Sequence, residues 1–312
     1  MGQTIVPIIL MSDGTHLTNL CGDKKAWPIY MTTGNLSVAV WMKHSMNAVL
    51  LVTLLPIPIK MLDIPLKKRN AQSEHNRMVL QHVLRHIMQG RLHSENENCH
   101  IYAYCADSRF RYCYPTLGGW MADYPEHRYL HNIKNGVSDW CECPHGGMGD
   151  FCDQTDRHQL QDHPMYCKLS DENTPQSIPD LKCRNVNPGF NILWHLDCVT
   201  SDLPKPDLLH TMQIGMLKHL LQWLHEFLKQ HKRLDKLDDI CLSVPAYLDM
   251  TKSRSAYEQV AHWNEGEIKT TRRFLVGVVR NSLRDPTPAQ HDGFKGAVEC
   301  TRSLIEFYFY AQ

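Results

Sequence analysis

Apolar residues in the first sixty positions come in short runs separated by turn-forming residues. Val6-Pro7-Ile8-Ile9-Leu10-Met11 stops at Ser12-Asp13-Gly14, Trp27 to Thr32 follows, and Val49 to Leu55 forms a third run, with Gly22 and Gly34-Asn35 between them. Runs of this length bounded by turn residues predict three strands. Between Ser73 and Gly90 the period changes. Val79, Val83 and Ile87, with their neighbours Leu80, Leu84 and Met88, recur at three and four residues, which predicts a helix stopped by Gly90. From Cys99 to Asp123 the extended pattern returns, with a turn at Ala106-Asp107-Ser108 and a run from Tyr112 to Met121 that leads into Ala122-Asp123-Tyr124-Pro125-Glu126.

Residues 136 to 187 lose this periodicity, being dominated by Gly, Pro, Asp, His and Cys, and are predicted to be an insertion. After Pro206, Leu209, Met212, Met216, Leu217, Leu220, Leu221, Leu224, Phe227 and Leu228 form one apolar stripe, predicting a helix that runs to about Lys232. A last helix is predicted to begin at Thr287-Pro288, with Thr as N-cap and Pro first in the helix, and to carry Phe294, Val298, Leu304, Ile305 and Tyr308 on one side. The pattern is that of an α/β (α+β) chain in three parts. Residues 1–135 form a strand-rich core, 136–187 a Cys/His-rich insertion, and 188–312 a helical region.

Composition changes this picture little. The 312 residues, 43% of them apolar, suffice for a sizeable core. Lys+Arg and Asp+Glu both count 33, which excludes a global basic field and confines any nucleic-acid contact to local patches. Lys67-Lys68-Arg69, the run Lys229 to Arg233 with Lys236, and Thr270-Thr271-Arg272-Arg273 are such patches, readable equally as solvated faces. Twelve cysteines without a leader-like opening segment suggest a reducing compartment rather than a disulfide framework. The longest apolar stretch, Ala48 to Ile59, is too short to span a bilayer and contains Pro56 and Pro58, so no membrane is expected as a partner.

Candidate chemistry starts with two acids. Asp13 closes the first strand and Asp123 closes another about 110 residues later. Carboxylates at neighbouring strand ends suit a pair of Mg²⁺ ions clamping an in-line phosphoryl displacement. By spacing alone they read as well as a Ser-Asp-Gly turn and a strand end before Pro125. Cys141, Cys143, Cys152 and one of His145, His158, His163 or Cys167 have the composition of a zinc site, His158 being the fourth ligand we carry forward; unpaired reduced cysteines in a loop are the alternative.

Five stretches carry a family resemblance. Pro7 to Thr18, Trp27 to Leu36, Met121-Ala-Asp-Tyr-Pro-Glu-His127, Lys134-Asn-Gly136 and Pro206-Asp-Leu-Leu-His-Thr-Met-Gln-Ile-Gly-Met216 resemble, in order, blocks of the Plavaka transposases of the fungal Kyakuja–Dileera–Zisupton DNA transposons. The similarity continues through Ser243 to Tyr247, Trp263-Asn264 and Glu299 to Arg302. The resemblance implies an RNase H-like mixed sheet, cut-and-paste DNA transposition, Mg²⁺ or Mn²⁺ as cofactor, DNA as partner, self-association and a nuclear location. It makes Asp13 and Asp123 metal-binding catalytic acids and places Asp207 and His210 on the family's Asp-x-x-His signature. It implies a further acidic residue beyond Leu304 to Gln312, leaving Glu299 and Glu306 as the late candidates and a truncated, inactive enzyme as the expectation. Ser138-Asp-Trp-Cys141 departs from the family's Cys-Pro-x-Cys, implying weak zinc binding or none. A non-enzymatic DNA- or partner-binding remnant, using the Pro206 to Lys232 helix as its surface, is the competing reading.

Overall fold

A computed structural model describes residues 2–17, 25–57, 65–88, 100–143, 147, 159–196, 198–207, 209–234 and 274–310. The chain forms two compact units, Met1–Pro206 and Asp207–Gln312.

In the first unit the three early strands are β1 (Gly2–Ser12), β4 (Pro28–Thr33) and β5 (Leu50–Leu54), with a small two-stranded ladder of β2 (Thr15–His16) and β3 (Lys25–Ala26) beside them. Adjacent turns make β1, β4 and β5 an antiparallel meander. Short helix α1 (Val38–Trp41) lies between β4 and β5, and α2 (Leu66–Met88) follows the meander. β6 (Ile101–Tyr104) and β7 (Phe110–Ala122) form a hairpin around the expected turn, and β8 (Pro204–Pro206) completes the sheet. The strand order is β5-β4-β1-β7, with β6 pairing the first half of β7 and β8 its last residues. β7 runs parallel to both β1 and β8, as a crossover through α2 and a second through the long 123–203 segment allow.

One face of this mixed sheet is dry. Ile8 and Leu10 of β1 alternate inward with period two and pack with Ile29, Leu117 and Trp120 under Leu80, Leu84 and Met88 of α2, which recur at i, i+4 on one helix face. Val83 and Ile87, in the neighbouring row, are only partly buried. The fully buried Gln81 joins α2 to the rest: its Nε2 donates to the Leu130 carbonyl at 3.0 Å and its Oε1 accepts from the Ile192 N–H at 3.0 Å. Asn191, also fully buried, donates to the same Leu130 carbonyl and accepts from the Leu193 N–H. Both satisfy backbone groups that helix ends and loops leave unpaired.

The expected insertion is more ordered than its composition suggests. After α3 (Tyr124–Leu130) come α4 (His163–Glu172), capped by the Asp162 carboxylate on the Met165 N–H, and α5 (Ser177–Cys183). They close on Tyr166, Leu181, Val186 and Trp194, a satellite core with too few apolar residues to register as periodicity. His145, Cys152 and His158 lie outside the described residues.

In the second unit the stripe after Pro206 begins as a π-helical segment, Leu209–Leu217, and continues as α6 (Lys218–Gln230). The change of helical period moves the apolar face, so Met216 stands 40% exposed while Leu217, Leu220, Leu221, Leu224 and Leu228 are buried. α7 (Leu275–Ser282) and α8 (His291–Tyr310) cover that face through Leu275, Val278, Val279, Phe294 and Ile305. From Leu217 to Leu228 the stripe is therefore interior to its own unit. Thr287 and Gln290 form a capping box ahead of α8, where Thr-Pro predicted the start. Among the described residues no helix is long and apolar enough to cross a membrane.

Candidate active site

The β1–β7 ladder sets where the two strands that lead to Asp13 and Asp123 end. Its register pairs Ile8 with Leu117 but Ile9 with Gly119, so Gly118 is an extra residue in β7. A Cβ at Gly118 would stand 3.1 Å from Cβ of Pro7, and one at Gly119 would stand 3.2 Å from Cγ of Lys205, so any larger residue would push its neighbour back. The glycine pair thus permits a bulge, which shifts pairing by one and brings Met11 opposite Met121. Two residues later, each just past its strand, come Asp13 and Asp123. Without the bulge the shift of one residue would turn the end of β7 to the opposite face relative to β1. Parallel β8 pairs Lys205 with Met121 and Pro206 with Ala122, and Asp207 is the next residue of the chain. His210 lies in the π-helical segment.

Asp123 also serves the local fold. It is the N-cap of α3, where its Oδ1 accepts from the Glu126 N–H at 2.9 Å. Glu126 in turn is 7% exposed, and its Oε2 accepts from the Ser12 hydroxyl at 2.5 Å, while Ser12 Oγ accepts from the Trp120 indole N–H at 3.0 Å. A chain of hydrogen bonds therefore runs from the middle of the sheet through Ser12 to Glu126. It ties the end of β1 to the first turn of α3. Burial pushes the Glu126 carboxyl above the usual glutamate range, the Ser12 hydroxyl opposes that shift, and the Asp123 charge adds to it. Nothing in the sequence marks Glu126 as buried. A glutamate three residues after an N-cap reads as a surface acid favouring the helix dipole, and only its burial distinguishes it.

Glu126 is expected to oppose folding at neutral pH in the absence of metal. Its folded pKa lies above the unfolded value, so its favourable contribution is complete below the unfolded pKa and is lost as pH rises through the folded one. Glu126→Gln should therefore melt above the wild type at pH 8 in chelator, by about 2–4 °C per kcal/mol recovered, with the gap closing near pH 4. Calorimetric melts at the two pH values check this; a gap independent of pH would exclude ionisation as its cause.

α3 carries His127 and His131 onto a buried histidine row. His127 Nε2 donates to the Lys205 carbonyl at 3.2 Å, His131 stands 6.0 Å from it, and His163 of α4 stacks on His131 at 5.5 Å and 22°. All three are 2% exposed. Both nitrogens of His131, and Nδ1 of His127 and of His163, have no hydrogen-bond partner among the described residues. Burial lowers all three imidazole pKa values, that of His163 to about 4 and that of His131 well below the usual range, helped by its two neighbours.

The zinc ligands expected from composition are not gathered by the described part of the chain. Cys143 is buried and Cys141, at an isolated bridge with Leu160, is half-buried, while the group of donor atoms that does converge is Cys167, Asp171 and His195. Cys113 is buried in the sheet, and Cys105 sits in the β6–β7 turn. Glu299 and Glu306 are exposed on α8, Glu299 paired with Lys295 at 3.9 Å, as surface positions of an amphipathic helix would be.

A family model described as Plavaka transposase matches residues 1–224. The chain belongs to the Plavaka transposase family. It is thus a DNA transposon-derived protein, of a family whose work implies DNA binding. The matched span contains Asp13, Glu126, Asp123, Asp207 and His210 and every block through Met216. It ends ahead of the Ser243–Tyr247, Trp263-Asn264 and Glu299–Arg302 stretches. No curated protein matches the chain significantly.

Proposed function

We propose that the first unit carries a divalent-metal centre for DNA strand cleavage and transfer, built on an RNase H-like sheet, with Asp13 and Asp123 as the Mg²⁺ or Mn²⁺ ligands. The observation that carries the proposal is the bulged parallel ladder that ends both strands at these aspartates. Neighbouring strands lie about 4.8 Å apart, so carboxylates from matching ends can serve two ions about 4 Å apart. An antiparallel meander flanked by parallel strands supports the RNase H-like reading.

The donor set fits a hard cation. Asp13 is exposed, Asp123 half-exposed, and both offer carboxylate oxygens, the ligands Mg²⁺ prefers. When bound, the metal would supply Lewis-acid polarisation of the phosphate and an activated water. Glu126 is a positioning residue: it holds the Ser12 end of β1 against the Asp123 cap and keeps the two ligands in fixed relation. Asp207 and His210, at the start of the second unit, keep the Asp-x-x-His signature that the family resemblance gives them. Whether the chain cleaves DNA or is an inactive relative is the outcome to test. Lys67 and Lys68, exposed at the start of α2, are phosphate-contact candidates, and nuclear residence follows from DNA as substrate.

The test is nicking of supercoiled plasmid in Mn²⁺ by the full chain, with calorimetric Mn²⁺ titration in parallel. Asp13→Asn, at an exposed position, should remain folded, bind Mn²⁺ at least about tenfold more weakly and lose nicking. Equal Mn²⁺ affinity in parent and variant would sink the assignment. Metal binding without nicking would favour the remnant reading.

A further inference from the structure

Away from the strand ends, α4 and the 3-10 turn Ile192–His195 bring together a thiol, a carboxylate and an imidazole. Cys167 and Asp171 are i, i+4 on α4 and so share a face. Cys167 Sγ lies 3.6 Å from Asp171 Oδ2, and 3.3 and 3.8 Å from His195 Nδ1 and Nε2; His195 Nε2 lies 3.8 Å from Asp171 Oδ1. Zinc bonds of about 2.3 Å to sulfur and about 2.0–2.1 Å to nitrogen or oxygen set the edges of a tetrahedral shell at about 3.3–3.6 Å. One donor atom from each residue lies within 4.8 Å of the other two, close to these edges, so that an ion could draw them in to three corners of such a shell.

We propose that Cys167, Asp171 and His195 bind a zinc ion that clasps α4 to the Ile192–His195 turn, with water in the fourth position. The side chain of Asp171 is 59% exposed, which leaves that corner open to solvent. His195 is held in place from behind: its ring stacks on Phe190 at 5.1 Å, and Arg85 of α2 covers the Phe190 ring at 5.4 Å. Ser170 adds a hydrogen bond from α4 to the Gly189 carbonyl at 2.9 Å, so both halves of the site are fixed to each other without metal. A set that mixes thiolate and imidazole with one carboxylate selects zinc over Mg²⁺, which prefers an all-oxygen shell. The other use of a Cys–His contact is a thiolate nucleophile. Burial first, then Asp171, push the Cys167 thiol up to about 11, the wrong direction for that role. The clasp would tie the satellite core of α4, α5 and Trp194 to the main core beneath Leu193. It is independent of Asp13 and Asp123.

The experiment uses the full chain, stripped by chelator and reloaded with zinc or with cobalt as a spectroscopic probe. Native mass spectrometry should show a stoichiometric zinc equivalent that Cys167→Ser and His195→Ala each remove, with affinity falling by at least about 100-fold. Cobalt should give a thiolate charge-transfer band that is absent in Cys167→Ser, while Cys183→Ser, at an exposed cysteine of α5, keeps it. Far-ultraviolet circular dichroism establishes that the variants are folded, and zinc should raise the melting temperature of the wild type but not of Cys167→Ser. No retained zinc, a cobalt spectrum without the band, or zinc kept by Cys167→Ser and lost by Cys141→Ser would each overturn the proposal.

Discussion

Asp123→Ser is expected to keep the fold and lose metal-dependent nicking, whereas Asp123→Ala loses the nicking and, in addition, about 1 kcal/mol of stability. The two substitutions separate the two tasks of one carboxylate. As an N-cap, Asp123 satisfies the Glu126 N–H, and a serine hydroxyl can accept the same hydrogen bond. As the proposed metal ligand it would contribute a negative oxygen donor, which serine does not replace. Because charge on the scissile phosphate is stabilised only while the metals are held in place, losing one ligand should lower the nicking rate on the order of 10³-fold. Chemical denaturation and plasmid nicking on the same preparations read the two effects. Nicking that persists in Asp123→Ser would leave Asp123 with a capping role alone.

A steep loss of stability in mild acid is the second large effect expected. The folded chain holds His127, His131 and His163 neutral, while the unfolded chain protonates them near pH 6.5. Between those limits the unfolded state binds more protons, so stability is complete above pH 6.5 and falls with pH toward the folded values. For His163, with a folded pKa of about 4 against 6.5, the loss alone amounts to about 3 kcal/mol. Glu126 and Asp139, whose carboxyls are raised by burial, take up protons in the folded state and offset part of it. Urea midpoints at pH 7 and pH 5 should differ clearly. His131→Leu should narrow the difference and be more stable at both pH values, since it removes two buried nitrogens that lack partners among the described residues. Identical midpoints at the two pH values would show that the row is hydrated or protonated in the folded chain.

These histidines illustrate how far the chain could be read in advance. His163 was visible only as one of several donors in a Cys/His-rich stretch, and His127 and His131 were not singled out. Nothing local distinguishes a buried histidine from a solvated one. Burial here is set by α3 and α4 packing together across more than thirty residues of sequence. The same holds for α4 itself. His163, Cys167, Lys168, Ser170 and Asp171 mask its few apolar positions, and the helix is held by Tyr166 against Leu181, Val186 and Trp194, which come from later in the chain.

Local alternation and spacing determined the early strands, the α2 helix, the β6–β7 hairpin and the capped start of α8, because each depends on neighbours within about ten residues. The ordered blocks, read as a resemblance, determined the family and singled out Asp13 and Asp123. Tertiary structure alone decided the rest. Register between strands more than a hundred residues apart is a property of two backbones and of the extra residue that Gly118 permits, and it is this register that ends β1 and β7 at matching acids. The burial of Glu126 against Ser12, and the meeting of Cys167 and Asp171 with His195, likewise depend on which surfaces pack together. A residue type and its spacing specify what chemistry is available; which donors share one small volume is fixed only when the long-range contacts close.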